Sequence, residues 1–347
     1  MESWSGEGGS ASAPRHCSNT PAPHHSIAPS PHSPMPLITV ACHAMATRFE
    51  IAMHGENPHA LRAAGEEALR QIDQLEAQLS LFRAGSEIAY LNARAAKGPV
   101  RVTPGLFTLL QQARKLSEET GGAFDITVAP LVRCWGFMGG DGRIPAPAEV
   151  AEARAKVGMG LVQLNPADFT VQFAREGVML DLGAIGKGYA VEQAAEVLRE
   201  TGVTSALIHG GTSTVQALAP PPGEEFWKIA IETPSTRPDA PPTLLATMPL
   251  KEEAMSVSGL LGHSFRAKGR TFGHIIDPRT GEPTIGTVLA AVVLPSATET
   301  DALSTALLTM GAAGHDAIAR LRPGMRTLVV SESDGQLQIE AHGIQVR

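Results

Sequence analysis

The 347-residue chain is poor in cysteine, in aromatic side chains and in surplus positive charge. Its three cysteines are too few and too scattered for a disulfide framework or a zinc cluster, so we expect reduced thiols. Lysine and arginine number 28 against 35 acidic residues, and the net charge of −7 argues against nucleic-acid binding as the main activity. No uninterrupted apolar stretch reaches the roughly 18 residues of a membrane span, so we expect no transmembrane helix.

The amino-terminal segment differs in composition from the rest of the chain. Residues 1–36 are mostly proline, serine, glycine and histidine, which cannot bury enough apolar surface to offset the entropy of ordering. We therefore predict a disordered tail over residues 1–36 and a single domain over residues 37–347, with Met35 as an alternative start. The tail has no apolar segment of the signal-peptide type, which predicts a cytoplasmic location.

Helical and strand patterns are interleaved along the remaining chain without a regular β-α-β order. This favours an α+β fold over a doubly wound parallel sheet, and the 43% hydrophobic content is ample for a core. Apolar periodicity predicts helices over residues 58–81, 104–120, 187–201, 301–310 and 313–321. It predicts strands over residues 47–53, 161–164, 169–173, 178–180, 289–294, 327–330 and 337–339.

Residues 181–190 (DLGAIGKGYA) combine a carboxylate, a small-residue turn and the start of a predicted helix. Unpaired N–H groups at a helix start, together with Lys187, can hold a phosphate. The segment is not a Walker A loop, because Asp181 stands where that motif has glycine and Gly188 follows the lysine instead of Ser or Thr. An ordinary glycine-rich turn is the alternative interpretation.

Asp301 and Thr305 are four residues apart in a predicted helix and so lie on one side of it. A carboxylate and a hydroxyl are hard oxygen donors, which suit Mg²⁺ better than zinc. The alternative is an aspartate that caps the helix and a threonine on its surface.

Two further segments hold candidate functional side chains. In residues 272–281 (FGHIIDPRTG), His274 is either a general base or a hydrogen-bonded structural residue. In residues 122–132 (GAFDITVAPLV) and the following WGF, Phe124 or Trp135 could stack on a planar ring, and we expect Trp135 to lie in the core.

Taken together and in this order, these segments resemble the ApbE-type FAD:protein FMN transferases over about residues 40–312. Besides the motifs above, the resemblance includes the short runs MATRF (45–49), LSLFR (79–83), HGG (209–211), SVSG (256–259) and DALSTALLTMG (301–311).

The resemblance implies an α+β fold with mixed or antiparallel sheets, packed helices and a T-fold-like core. It implies an Mg²⁺-dependent enzyme that cleaves its substrate FAD and attaches FMN through a phosphoester to a Thr or Ser of an acceptor protein, with release of AMP. His274 would be the base. The implied metal ligands are Asp301, Thr305 and the carbonyl of Ala184, with Ser304 as a further candidate. The implied FAD contacts are Met45, Phe82, Ala123, Phe124, Asp125, Asp181, Lys187 and Ile275.

Two positions depart from the family pattern. Thr212 follows the paired glycines where an aspartate is usual, and Leu260 and Leu261 follow Gly259 where an aspartate and an aromatic residue are usual. Both positions lie near the expected acceptor side of the site. They leave two alternatives open, an FAD pyrophosphatase that yields FMN and AMP and a non-catalytic flavin-binding protein.

Overall fold

The computed structural model describes residues 35–233, 243–260, 264–267, 269–333 and 336–347. The predicted tail lies almost wholly outside the described residues, as does Leu261. The division into a tail and one domain therefore stays a prediction.

The described residues form seven α-helices and fifteen strands. The helices are α1 (Pro58–Leu79), α2 (Glu87–Arg94), α3 (Pro104–Glu119), α4 (Ala129–Cys134), α5 (Pro147–Arg154), α6 (Gly186–Glu200) and α7 (Ala297–Ala319). The strands are β1 (Leu37–Ala44), β2 (Thr47–His54), β3 (Val100–Arg101), β4 (Val162–Asn165), β5 (Thr170–Phe173), β6 (Ser205–Gly210), β7 (Thr214–Ala217), β8 (Trp227–Glu232), β9 (Leu244–Leu250), β10 (Glu253–Gly259), β11 (Ser264–Ala267), β12 (Arg270–Gly273), β13 (Thr287–Leu294), β14 (Arg326–Ser333) and β15 (Gln336–His342).

An antiparallel sheet of eight strands, in the order β1-β2-β6-β7-β10-β13-β14-β15, is the main element of the fold. Smaller antiparallel groups are β3-β5-β4, β8-β9 and β11-β12. Antiparallel sheets with helices packed on them confirm the predicted α+β class.

The central strands of the large sheet bury apolar side chains on both faces, because successive side chains alternate between two cores. Phe49, Ile51 and Met53 of β2 are fully buried among residues of α1, α6 and α7. Val293 of β13 faces the second core, which the β8-β9 hairpin covers with residues such as Met248. Helices α6 and α7 therefore pack against one face of the sheet. These two helices carry several of the candidate functional residues named from the sequence.

Most predicted elements are confirmed, and two need correction. Residues 178–180 are not a strand, because the side-chain amide of Asn92 donates to the Leu180 carbonyl (2.9 Å) and accepts from its N–H (2.8 Å). Helix α7 begins at Ala297 with Ser296 as its N-cap, so Asp301 is not the cap residue. The predicted break at Gly311 is confirmed by a left-handed φ of 61°.

None of the helices in the described residues combines the length and apolarity needed to cross a bilayer. The cytoplasmic location stays a prediction.

Candidate active site

Two cavities of about 360 Å³ each share Asp181, Gly183 and Lys187 as part of their walls. The candidates named from the sequence divide between them. Met45 and Phe82 line the second cavity. Lining the first are Ala123, Phe124, Asp125, Ala184, His274, Ile275, Asp301 and Thr305. Segments more than two hundred residues apart in the chain therefore meet around one joined space.

The turn between β1 and β2 places Met45 at the second cavity. Met45 and Ala46 both have positive φ, 49° and 58°, a left-handed conformation that side chains other than Gly, Asn and Asp adopt at a cost. Two successive positive φ values are typical of the tight turns that join antiparallel strands. Phe82 also lines this cavity and is 77% exposed, which leaves its ring available to a ligand.

Gly188 allows α6 to touch α7. A Cβ at this position would lie 2.2 Å from the Ala297 carbonyl oxygen and 2.7 Å from the Asp301 Cβ. The close approach lets the Gly188 N–H donate to Asp301 Oδ2 at 2.9 Å. From the sequence, the N–H groups at the start of this helix were expected to be unpaired and able to hold a phosphate. One of them, that of Gly188, instead donates to Asp301.

The contact between the helices is reciprocal. Glu192 of α6 accepts from the Thr298 N–H and the Ser296 hydroxyl, both at 2.8 Å, at the amino terminus of α7. Asp301 of α7 accepts from an N–H at the amino terminus of α6. Each carboxylate stabilises the positive end of the other helix. The position of Asp301 is therefore fixed by its own bond to α6 and by the bonds of Glu192 to the start of α7.

Lys187 is the cation at the junction of the two cavities. Its Nζ donates to the Gly183 carbonyl at 3.1 Å and lies 4.0 Å from Asp301 Oδ1. Burial raises the pKa of Asp181, whereas the Gly183 N–H bond and Lys187 act in the opposite direction. The junction therefore combines two carboxyl groups with one ammonium group.

The donors at the first cavity fit a hard divalent cation. Asp301 receives one backbone N–H, and its other oxygen is beyond hydrogen-bond distance from Lys187, so it retains acceptor capacity. Thr305 and Ala184 line the same cavity. No cluster of three or more His, Cys, Asp or Glu suited to a metal occurs in the part of the chain that the structure describes. A carboxylate with a hydroxyl and a carbonyl suits Mg²⁺.

Asp125 has a different environment from Asp301. Its carboxylate accepts from the Thr127 N–H (2.8 Å) and hydroxyl (2.6 Å), the Met159 N–H (2.9 Å) and the Ser117 hydroxyl (3.2 Å). These bonds fix the turn after α3, in which Phe124 also lies. Asp125 lines the cavity as expected, but its carboxylate stabilises the turn that forms this part of the cavity wall.

His274 is half-buried directly after β12, on the same cavity as Asp301. The turn that follows is stabilised by a two-bond contact from the Arg279 side chain to Asp277, at 2.9 and 2.8 Å. The Trp135 indole donates to the Gly281 carbonyl at 2.8 Å and stacks on Phe272 at 5.7 Å. Trp135 is buried and does not line the cavity, as the sequence interpretation expected.

Ser258 was not singled out from the sequence as a site residue. It lines the first cavity, and its Oγ is 2.9 Å from Ser304 Oγ and 3.2 Å from Thr305 Oγ1. The available signal was its place in a run of alternating serines, residues 256 and 258, within a segment of the resemblance.

The model of the ApbE family matches residues 45–329 of this chain. The chain belongs to the ApbE family. It is 30% identical over 299 residues to the FAD:protein FMN transferase of Treponema pallidum, covering 82% of each chain. It is 31% identical to the enzyme of the same name from Haemophilus influenzae over 253 residues, which cover 71% of this chain and 72% of that one.

Solved structures of the family share the fold. The ApbE protein of Thermotoga maritima matches with a TM-score of 0.78 at 27% identity, covering 87% of this chain and 96% of that one. The flavinyl transferase ApbE of Pseudomonas stutzeri matches with a TM-score of 0.79 at 26% identity, covering 90% and 96%. The expected family is therefore confirmed by sequence and by fold.

Proposed function

We propose that this ApbE-family chain is an FAD:protein FMN transferase. The observation that carries the proposal is that the residues implied by the resemblance, with the exception of Ser304, line two cavities joined at Lys187. FAD is an elongated dinucleotide with a charged pyrophosphate between two rings, so it suits two joined spaces with an ammonium group at the junction. The names of the curated relatives support the same activity.

Two features at the junction support a pyrophosphate at this point. Lys187 and the amino-terminal end of α6 both favour an anion. In this proposal Asp301, Thr305 and the Ala184 carbonyl hold Mg²⁺. When bound, Mg²⁺ supplies charge neutralisation on the pyrophosphate oxygens.

The transfer step needs a proton acceptor at the cavity that contains Asp301. In the proposed reaction, the hydroxyl oxygen of an acceptor Thr or Ser bonds to the phosphorus of the FMN half. The bond from that phosphorus to the bridging oxygen breaks, and AMP leaves with the electron pair. His274 takes the hydroxyl proton, because it is the imidazole on the wall of this cavity. The remaining side chains bind and orient the two substrates.

The two departures from the family pattern both flank this cavity. Ser213, next to Thr212, and Gly259, next to Leu260, line it. If these changes removed acceptor recognition, water would attack instead and the protein would be an FAD pyrophosphatase. If they removed turnover, it would be a flavin-binding protein.

The test is to incubate the purified protein with FAD, with and without Mg²⁺, and with and without a peptide that contains a flavinylation-type threonine. AMP is followed by chromatography and the peptide by mass spectrometry. The proposal predicts AMP release that requires Mg²⁺ and a peptide heavier by one FMN. AMP with free FMN alone supports the pyrophosphatase, and tight FAD binding without AMP supports the binding protein.

A further inference from the structure

Three hydroxyl groups lie together between β10 and α7 at the wall of the first cavity. Ser258 Oγ is 2.9 Å from Ser304 Oγ and 3.2 Å from Thr305 Oγ1. Ser304 and Thr305 also reach the carbonyl oxygen of Asp301, at 3.0 and 3.2 Å. The cluster thus connects the strand to the side chain of Thr305, a proposed metal ligand, and to the main-chain carbonyl of Asp301.

Counting hydrogens gives this cluster a direction. Each hydroxyl has one hydrogen, and the terminal acceptor in the cluster is the Asp301 carbonyl. Ser304 is the nearer of the two hydroxyls to that carbonyl, and Ser258 is nearer to Ser304 than to Thr305. Thr305 Oγ1 is 3.2 Å from both the carbonyl, to which it can donate, and Ser258 Oγ. A chain in which Thr305 donates to Ser258, Ser258 to Ser304, and Ser304 to the carbonyl gives every hydroxyl hydrogen an acceptor of its own.

This direction has a consequence for the lone pairs of Thr305. A hydroxyl that binds a cation must direct its hydrogen away from the cation. In the chain described above, Ser258 accepts that hydrogen on the strand side, and the lone pairs of Thr305 stay available to the cavity. Without Ser258, Thr305 and Ser304 would have to share the Asp301 carbonyl oxygen as acceptor.

A second hydroxyl cluster, on the same strand and helix, offers a matched comparison. Ser256 Oγ is 2.8 Å from Thr300 Oγ1 and 3.1 Å from Thr214 Oγ1, and all three residues are buried. None of them lines the first cavity. Ser256 therefore makes the same kind of bond between β10 and α7 but does not face the proposed cation.

We propose that Ser258 is a positioning residue of the divalent-cation site, acting through the hydroxyl of Thr305. The inference rests on the proposed function, because it assumes the cation site of that proposal. Groups that orient metal ligands typically change metal affinity by 10- to 100-fold when removed. Since Thr305 retains the Asp301 carbonyl as an alternative acceptor, we expect the lower end, about tenfold.

The test measures Mn²⁺ binding to the full chain without FAD, by electron paramagnetic resonance of the free ion. Ser258→Ala should weaken binding about tenfold, and Ser258→Thr, which keeps the hydroxyl, should restore it. Ser258→Cys, with a poor acceptor of similar size, should behave like the alanine variant. Ser256→Ala should bind Mn²⁺ as the wild type does. Circular dichroism of each variant checks that the fold is kept.

Asp301→Asn separates the inference from the proposal on which it rests. Its loss of Mn²⁺ binding together with unchanged binding by Ser258→Ala would overturn the role of Ser258 and leave the proposed function intact. Equal weakening by Ser256→Ala would also overturn it, since a structural effect would then suffice. If the wild type binds Mn²⁺ no more strongly than Asp301→Asn does, the proposed cation site is wrong and so is the inference about Ser258. The Mn²⁺ binding that remains in Asp301→Asn gives the background from other sites, including the histidines of the first 34 residues.

Discussion

Asp125 and Asp301 line the same cavity, and both are buried, but their surroundings leave them different capacities. Asp125 accepts four hydrogen bonds from its own wall, two of them from backbone N–H groups. Asp301 accepts one backbone N–H and lies 4.0 Å from an ammonium nitrogen. The first carboxylate is satisfied by the fold, and the second keeps an oxygen for a cation.

The difference follows from where each residue lies. Asp125 is in a turn, where neighbouring N–H groups have no helical partners and converge on a carboxylate. Asp301 is in the second turn of a helix, where the local N–H groups bond within the helix, so its donor comes from α6. In this protein the aspartate in the turn is therefore satisfied by neighbouring donors, whereas the aspartate on the helix retains acceptor capacity.

The largest expected effect is that of Asp301→Asn on catalysis. The amide oxygen can still accept the Gly188 N–H, but the charge that attracts a cation is lost. Mg²⁺-dependent AMP release should fall about 10³-fold, because a catalytic metal contributes several kcal/mol to the transition state. Activity at the wild-type level in low Mg²⁺, measured by AMP chromatography, would contradict the assignment.

Replacing His274 should have a smaller effect on transfer. His274→Ala removes the proposed base and leaves the cation site, so transfer of FMN to the peptide should slow about 10²-fold. Mn²⁺ binding should be unchanged in the same protein. A full transfer rate would exclude His274 from this role, whereas loss of Mn²⁺ binding would indicate a structural effect.

Asp125→Asn should affect stability more than chemistry. The amide nitrogen would face donors that the carboxylate now satisfies, which leaves a buried group unpaired and lowers the free energy of unfolding by about 1–3 kcal/mol. Urea unfolding measures this change. A loss of Mg²⁺ dependence with unchanged stability would reverse the roles that we assign to the two aspartates.

The smallest effect concerns Asp181 and depends on pH. Burial raises the pKa of this carboxyl in the folded protein above its usual 3.8, so its contribution to stability is lost as pH rises through the folded pKa. Asp181→Asn should therefore raise Tm at about pH 7, and the gain should shrink towards about pH 4. Thermal unfolding at both pH values checks this, and a variant less stable than the wild type at neutral pH would contradict it.

Much of the fold and the site was accessible from the sequence, for physical reasons that the structure makes visible. Helices such as α1 have long apolar stripes, and the strand with Phe49, Ile51 and Met53 has a clear alternation. The site candidates lie in local motifs, so they could be named residue by residue through the resemblance.

What the sequence could not supply are contacts between distant segments. The segment before Asp181 has a strand-like composition, but its backbone bonds go to Asn92, 88 residues away. The role of Gly188 depends on Ala297, and the surroundings of Ser258 depend on Thr305. None of these partners leaves a periodic or spacing signal in the chain.

The most direct test of the account is anomalous diffraction from crystals of the protein grown with FAD and Mn²⁺. We predict an anomalous peak at the first cavity for a Mn²⁺ ion held by Asp301, Thr305 and the Ala184 carbonyl. The pyrophosphate of FAD should lie beside Lys187. A peak at Asp125, or FAD bound with its pyrophosphate away from α6 and α7, would contradict the account.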